Sequence, residues 1–315
     1  MTVAFVSIIS GIALMWISAE KLEKYSVLAA KQFGMSPFFI GSTIIAFGTS
    51  APEMLTTFFV SMEDQGAMVI GNVIGSNVAN LSLVFGSMLF VVAISKQNIS
   101  QPKSINKNLL ILLISSLLVW VIIAIDPFRI TSSIVLLSSL LAVIFFWYRS
   151  NQEMPGTREE DGSKNSLIKL ILALMSLVFA AWLITKGANL ILENYNLGQL
   201  FIGYTVLAIG TSLPEIAASV SLAHKSRYEA VAGTLIGSNI FNGLCVLAIP
   251  GLFRSNQMAV GWEYSEWSSL LVILFTITLI FCIYIFILSK QGKRASVLLS
   301  ILFLSIYFVS LVYAY

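Results

Sequence analysis

Two glutamates, Glu53 and Glu215, stand in the middle of long apolar stretches, and each closes a Gly-Thr-Ser-x-Pro-Glu run. Gly48, Thr49, Ser50 and Pro52 precede the first, and Gly210, Thr211, Ser212 and Pro214 precede the second. At the centre of a bilayer a charged side chain costs about 2.5 to 3.5 kcal/mol on insertion scales. A structural carboxylate would be offset by a buried Lys or Arg, and none lies deep inside any apolar stretch. A proton or a bound cation remains. The hydroxyls of Thr49, Ser50, Thr211 and Ser212 supply neutral oxygens beside the carboxylates. Pro52 and Pro214 each remove a backbone N–H and clash with a preceding carbonyl, so carbonyls near Ala46 and Ala208, or Gly48 and Gly210, should leave the helix ladder. The apolar stretches that follow add Ser76, Asn77 and Asn80 in one case and Ser238, Asn239 and Asn242 in the other. This set is all oxygen, without His or Cys, as hard cations such as Ca²⁺ and Na⁺ require; Mg²⁺, which keeps its waters, fits less well.

The two runs are copies. At an offset of 162, residues 38–53 match residues 200–215 at ten of sixteen positions, and at the same offset residues 71–80 match 233–242 at six of ten. The identities fall on Gly, Thr, Ser, Pro, Glu and Asn, whereas apolar bias alone would match Leu and Ile. Taken singly, Pro52 or Pro214 would read as a plain kink. The pairs Gly71 with Gly75 and Gly233 with Gly237 read as close helix packing. Such packing would bring the neighbouring Ser and Asn side chains to the centre. The Asn residues themselves read equally as interhelical hydrogen bonders.

The elements that position these residues are membrane helices. The chain has 315 residues, 57% hydrophobic and 10% charged, against roughly 25% charged in soluble domains. Apolar stretches long enough to cross a hydrocarbon core of about 30 Å recur throughout. Ten spans are predicted, near residues 3–19, 38–61, 67–95, 109–125, 130–148, 167–185, 200–223, 230–252, 267–288 and 295–314. The first lacks a basic flank and a small-residue cleavage site, so it reads as a retained helix. Of the 18 Lys and Arg residues, all but Arg129, Lys186 and Arg254 follow odd-numbered spans. The positive-inside rule therefore predicts cytoplasmic odd-to-even loops and both termini outside.

The polar stretch 150–166, with Pro155, Gly156 and Gly162, reads as a cytoplasmic linker between a first five-helix repeat, 1–149, and a second, 167–315. Its acidic run Glu159, Glu160 and Asp161 lacks EF-hand spacing. Five is an odd number, so the second copy should enter the membrane from the opposite side. That predicts an all-α integral membrane fold of ten transmembrane helices in two inverted repeats, whose sites lie at the midplane.

Other classes fit poorly. Cys245 and Cys282 lie within spans, so neither a disulfide framework nor a thiolate metal site is indicated, and His224 stands beside Lys225 in a loop without partners. Basic residues flank spans without an aromatic-interleaved patch, which argues against nucleic acid. No Ser/His or paired-Asp arrangement suggests an enzyme.

GTSAPE with GNVIGSNVAN, and GTSLPE with GTLIGSNIFN, resemble the two alpha-repeats of the sodium/calcium exchanger family within the Ca²⁺:cation antiporter superfamily. The resemblance covers both halves and the linker, and looks like the minimal prokaryotic form. It implies an antiporter that exchanges Na⁺ for Ca²⁺ in a plasma (inner) membrane, with spans 2, 3, 7 and 8 as the ion-binding core and spans 1 and 6 sliding against it. Carried over by motif position, the ligands are Thr49, Ser50, Glu53, Ser76 and Asn80 with Thr211, Ser212, Glu215, Ser238 and Asn242, joined by the carbonyls of Ala46 and Ala208. Many relatives carry Asp at the position of Asn242, and the departure argues against K⁺ coupling. The proton-coupled branch has a GNxxE signature where this chain has GNVIGSN, which favours Na⁺ over H⁺. Ca²⁺ and Na⁺ are cargo; no cofactor and no obligate protein partner is expected. The alternatives are a Ca²⁺/H⁺ or other cation/proton antiporter on the same fold and, in another class, a passive cation channel.

Overall fold

The computed structural model describes residues 2–31, 37–95, 105–150, 165–195, 198–253, 268–291 and 297–314. The linker expected at 150–166 falls almost wholly outside them. Among the described residues every long element is helical. We number the helical runs α1 (Thr2–Lys31), α2 (37–62), α3 (Gly66–Ile94), α4 (Ile105–Ile125), α5 (Ile130–Ser150), α6 (Asn165–Tyr195), α7 (Gln199–His224), α8 (Tyr228–Phe253), α9 (Ser268–Gln291) and α10 (Val297–Ala314). Within α2–α5 and α7–α10 lie eight helices long and apolar enough to cross a membrane. The apolar parts of α1 and α6, Thr2–Ser18 and Val178–Ile191, are shorter. Burial sorts the eight. The apolar windows of α2, α3, α7 and α8 are 61 to 83% buried, while those of α4, α5, α9 and α10 are 28 to 39% buried. The first group is the core, and the second turns Leu, Ile, Val and Phe side chains outward, as lipid contact requires.

The copies seen in the sequence are copies in structure. The α-helix Gly66–Ala79 and the following π-helical turn Asn80–Val84 correspond, at the offset of 162, to Tyr228–Phe241 and Asn242–Val246. Tight turns join α2 to α3 and α7 to α8, and each holds one non-glycine residue at positive φ, Asp64 at 57° and Ser226 at 56°.

Small residues let the core helices touch backbone to backbone. A Cβ added to Gly71 would sit 2.9 Å from the Tyr204 nitrogen, and one added to Gly233 would sit 2.9 Å from the Ser42 nitrogen. A Cβ on Gly75 would meet the Ala208 Cβ at 2.8 Å, and one on Gly237 the Ala46 Cβ at 2.7 Å. Each contact maps onto its partner when the two copies are exchanged, so a pseudo-twofold relates them. At the periphery α1 packs on α6 in the same close manner. Ile184 lies against Gly11 and Ile8 against Gly187, and the Ser18 hydroxyl donates to Ser176 Oγ at 2.8 Å.

Candidate ion-binding site

The centre of the core is built from four π-helical turns and two proline segments. In a π turn the N–H reaches back five residues instead of four: Ala46 bonds to the Gly41 carbonyl, Ala208 to Gly203, Phe85 to Asn80 and Leu247 to Asn242. Such turns are rare and concentrate at functional positions, because the extra residue re-aims the side chains that follow. Here they set the phase of Thr49, Ser50 and Glu53 on α2 and of Thr211, Ser212 and Glu215 on α7. On α3 and α8 the π turns begin at Asn80 and Asn242.

All twelve residues predicted for the site are buried, including Glu53 at 0% and Glu215 at 1% exposure. The two copies meet across the centre: Ser50 Oγ donates to Glu215 Oε1 at 3.5 Å, and the Thr49 and Ser238 hydroxyls are 3.3 Å apart. The Thr211 hydroxyl lies on the Glu53 side and the Thr49 hydroxyl on the Glu215 side. Thr211 spends its hydrogen bond on the Leu207 carbonyl, at 3.0 Å.

Most of the inward-facing polar atoms have no hydrogen-bond partner. They are both oxygens of Glu53, Oε2 of Glu215, the hydroxyls of Ser76 and Ser212, and the amide oxygens and nitrogens of Asn80 and Asn242. A buried polar atom left unpaired costs about 1 to 3 kcal/mol, and so many in one place call for ions and the water they carry. The donor set is two carboxylates surrounded by neutral oxygens, which suits Na⁺ or Ca²⁺ and no soft metal.

Two local features differ from expectation. Of the two pairs of carbonyls offered as leaving the ladder, Ala46 and Ala208 or Gly48 and Gly210, the first is engaged: Ala208 accepts the Ser212 N–H at 3.1 Å, and Ala46 accepts the Thr49 hydroxyl at 3.3 Å. Both keep a second lone pair, but the acceptors that lose a proline N–H are those of Gly48 and Gly210. The identical prolines also behave differently. Pro52 lies within a continuous helix from Ala46 to Met62, whereas α7 breaks at Ser212 (φ −83°, ψ 0°) and Pro214 opens the next helix.

The sequence reading missed a further polar layer. Thr56, Thr57 and Asn72 are wholly buried about one turn beyond Glu53 and Ser76, and Asn72 Nδ2 donates to Thr57 Oγ1 at 3.1 Å. Their spacing was a usable signal, because Thr57 is i+4 from Glu53 and Asn72 is i−4 from Ser76. A second omission is a brace on the second copy only: Tyr307 Oη donates to the Tyr204 carbonyl in the π turn of α7 at 2.7 Å, and the two rings stack.

Residues 3–149 and 165–315 match the sequence profile of the sodium/calcium exchanger protein family. An uncharacterised membrane protein of Methanocaldococcus jannaschii is 32% identical, with 96% of this chain and 94% of that protein aligned. The sodium/calcium exchanger MaX1 of Methanosarcina acetivorans is 23% identical over 90% of this chain and 99% of its own length. Among solved structures, the sodium-calcium exchanger NCX_Mj, soaked with Na⁺ and Sr²⁺, superposes with a TM-score of 0.73 at 28% identity. The alignment covers 99% of this chain and 98% of that one. Profile, relatives and fold agree over nearly the whole chain: it is a multi-pass membrane protein that belongs to the sodium/calcium exchanger family.

Proposed function

We propose that this protein is a secondary active antiporter, without a catalytic step or resident cofactor, that exchanges Na⁺ for Ca²⁺ across the cell membrane by alternating access. The observation that carries the proposal is the pair of buried glutamates, without a basic partner at the centre, inside a shell of unpartnered neutral oxygens. The ligands are Glu53 and Glu215 with Thr49, Ser50, Ser76, Asn80, Thr211, Ser212, Ser238 and Asn242, and the carbonyls of Ala46 and Ala208 through their second lone pairs. With both glutamates ionised, one Ca²⁺ neutralises the site and so do two Na⁺. The empty, doubly charged site resists closure in a dry barrier, because its desolvation is uncompensated. That couples the two fluxes. More than two Na⁺ per Ca²⁺ would make the cycle electrogenic, responding to voltage at about 2.3 kcal/mol per charge per 100 mV.

The architecture of this proposal is ten spans in two inverted repeats, 1–149 and 167–315, joined by a cytoplasmic linker at 150–166, with both termini outside. Helix direction supports the inversion. The contacts of Gly41 with Ala230, Ser42 with Gly233 and Ala46 with Gly237 advance together along both helices, so α2 and α8 run parallel. Gly203 with Met68, Tyr204 with Gly71 and Ala208 with Gly75 make α7 parallel to α3. A short turn makes α2 antiparallel to α3, hence antiparallel to its own copy α7.

The decisive measurement is ⁴⁵Ca²⁺ uptake into proteoliposomes with and without an outward Na⁺ gradient at fixed pH. Uptake that follows the Na⁺ gradient is expected. Uptake that follows a proton gradient and ignores Na⁺ would move the protein to the cation/proton class.

A further inference from the structure

The rows of oxygens that form the central site do not end with it. On α3, Asn72, Ser76 and Asn80 recur every four residues on one face, and on α2 Glu53 and Thr57 do the same. With a rise of 1.5 Å per residue, the Asn72–Thr57 layer lies about 6 Å from the Ser76–Glu53 layer, toward the turn at 63–65. Asn72 and Thr56 are 1% and 0% exposed. The Asn72 amide spends a donor on Thr57 Oγ1, which fixes the amide's orientation, and its Oδ1 is left without a partner, as is Thr56 Oγ1. The second copy is poorer at this level. Its equivalents are Ala218, Ser219 and Thr234; the Thr234 hydroxyl turns back to the Ala230 carbonyl at 2.9 Å, and only Ser219 Oγ is unpartnered.

We infer that Asn72 Oδ1, with the Thr57 hydroxyl beside it, forms an additional monovalent-cation site on the path between the central glutamates and the 63–65 turn, and that the second copy has no counterpart. The layer holds no charge of its own. Neutral oxygens one turn from a carboxylate can replace part of the hydration of Na⁺, whereas Ca²⁺ needs carboxylates among its ligands. Under the antiporter reading, on which the transport role of this site rests, Na⁺ waits here before entering the centre from one face of the membrane only.

Two measurements test the inference. Crystals of the wild-type protein soaked with Tl⁺, a monovalent ion with strong anomalous scattering, should show a peak beside Asn72 Oδ1 in addition to those at the glutamates. Central peaks alone would overturn the inference. In solution, Asn72→Thr installs the residue that the second copy carries in the same register and retains a hydroxyl. Equilibrium ²²Na⁺ binding should fall by about one ion per chain, and the Na⁺ concentration for half-maximal exchange should rise about three- to tenfold, with ⁴⁵Ca²⁺ affinity unchanged. Equal Na⁺ counts in the two proteins, or a parallel loss of Ca²⁺ affinity, would overturn it. If Asn72→Thr fails to fold, the Tl⁺ map of the wild type decides alone. A wild-type protein that binds Na⁺ yet shows no Na⁺-driven Ca²⁺ flux would sink the antiporter reading, while the Tl⁺ peaks and Na⁺ counts would still decide this one.

Discussion

The two copies of the motif carry nearly the same residues and do not have the same structure. In the first, the helix runs unbroken through Pro52, both oxygens of Glu53 are unpartnered, and Asn72 ties α3 to α2. In the second, the helix breaks at Ser212, Glu215 receives the Ser50 hydroxyl, and Tyr307 braces the π turn from α10. Sequence identity at the site therefore coexists with a local backbone difference at Ser212. Under the inverted-repeat architecture proposed above, such a difference is required, since two copies in identical conformations would expose the midplane equally to both sides.

The sharpest way to break this comparison is to remove one charge from each copy in turn. Glu53→Gln and Glu215→Gln should each reduce Na⁺-driven ⁴⁵Ca²⁺ flux by more than about 100-fold. Losing one of two carboxylates leaves a buried divalent cation roughly 3 to 5 kcal/mol short of compensation. Expression should be retained, because a neutral side chain inserts more easily. Near-normal flux in either variant would mean that the copies do not share one site.

The prolines sharpen the comparison through stability. Pro52→Ala restores an N–H inside a helix and should raise the thermal midpoint in detergent, by up to about 3 kcal/mol of stability. Pro214 stands at a helix start, where proline is favoured, so Pro214→Ala should leave the midpoint unchanged or lower it slightly. Equal shifts in the two variants would show that the break at Ser212 is not what separates the copies. Smaller still is the effect of one neutral oxygen. Thr49→Ala and Thr211→Ala should each weaken Ca²⁺ binding about fivefold, on the scale of about 1 kcal/mol for a single uncharged contact, as read by isothermal titration. Thr→Ala losses larger than the Glu→Gln losses would reverse the ranking of the ligands.

What could be read from the sequence was whatever leaves a residue-type signature. The offset of 162, the two unpaired glutamates, and the Ser and Asn partners on the following helices all depend on polar residues standing in apolar surroundings. The full extents of α1 and α6 were not legible: membrane spans were expected near 3–19 and 167–185, whereas the helices run over Thr2–Lys31 and Asn165–Tyr195, with apolar parts at Thr2–Ser18 and Val178–Ile191. Hydropathy sees only the part of a helix that suits lipid, and backbone hydrogen bonding carries the rest onward. The π turns were invisible for another reason. Adding one residue to a helical turn changes register without demanding a particular side chain, and Ile40–Ile45 reads as any other apolar segment. Nor could the sequence separate the fates of Pro52 and Pro214, because the flanking Gly-Thr-Ser and Glu are identical and the packing around them decides. Thr57 and Asn72 were legible in principle, by their four-residue spacing from Glu53 and Ser76, but neither is among the residues identical between the two copies: Thr57 lies beyond the first matched block, and Asn72 stands opposite Thr234 within the second.

The smallest expected effect concerns Asn242, a position where the family resemblance leads one to expect Asp in many relatives. Asn242 is buried, and both its Oδ1 and its Nδ2 lack partners; its equivalent in the first copy, Asn80, is the same in both respects. In burial and in lacking partners this pair is alike in the two copies, which makes it a control for the asymmetry elsewhere. A carboxylate at 242 would add a third negative charge beside Glu53 and Glu215, to be balanced by a further monovalent cation or a proton. An amide offers one acceptor oxygen and no charge, so the site has nothing for K⁺ to neutralise. Na⁺-gradient-driven Ca²⁺ flux should therefore keep its rate when choline replaces K⁺ on both sides of the membrane at a potential near zero. Asn242→Asp and Asn80→Asp should each create a dependence on a second monovalent ion or on pH, and to a similar degree, because both side chains are fully buried and unpartnered. Loss of wild-type flux on K⁺ removal would refute the two-carboxylate account of the charge. A dependence created at 242 and not at 80 would show that the asymmetry of the halves extends to the centre of the site.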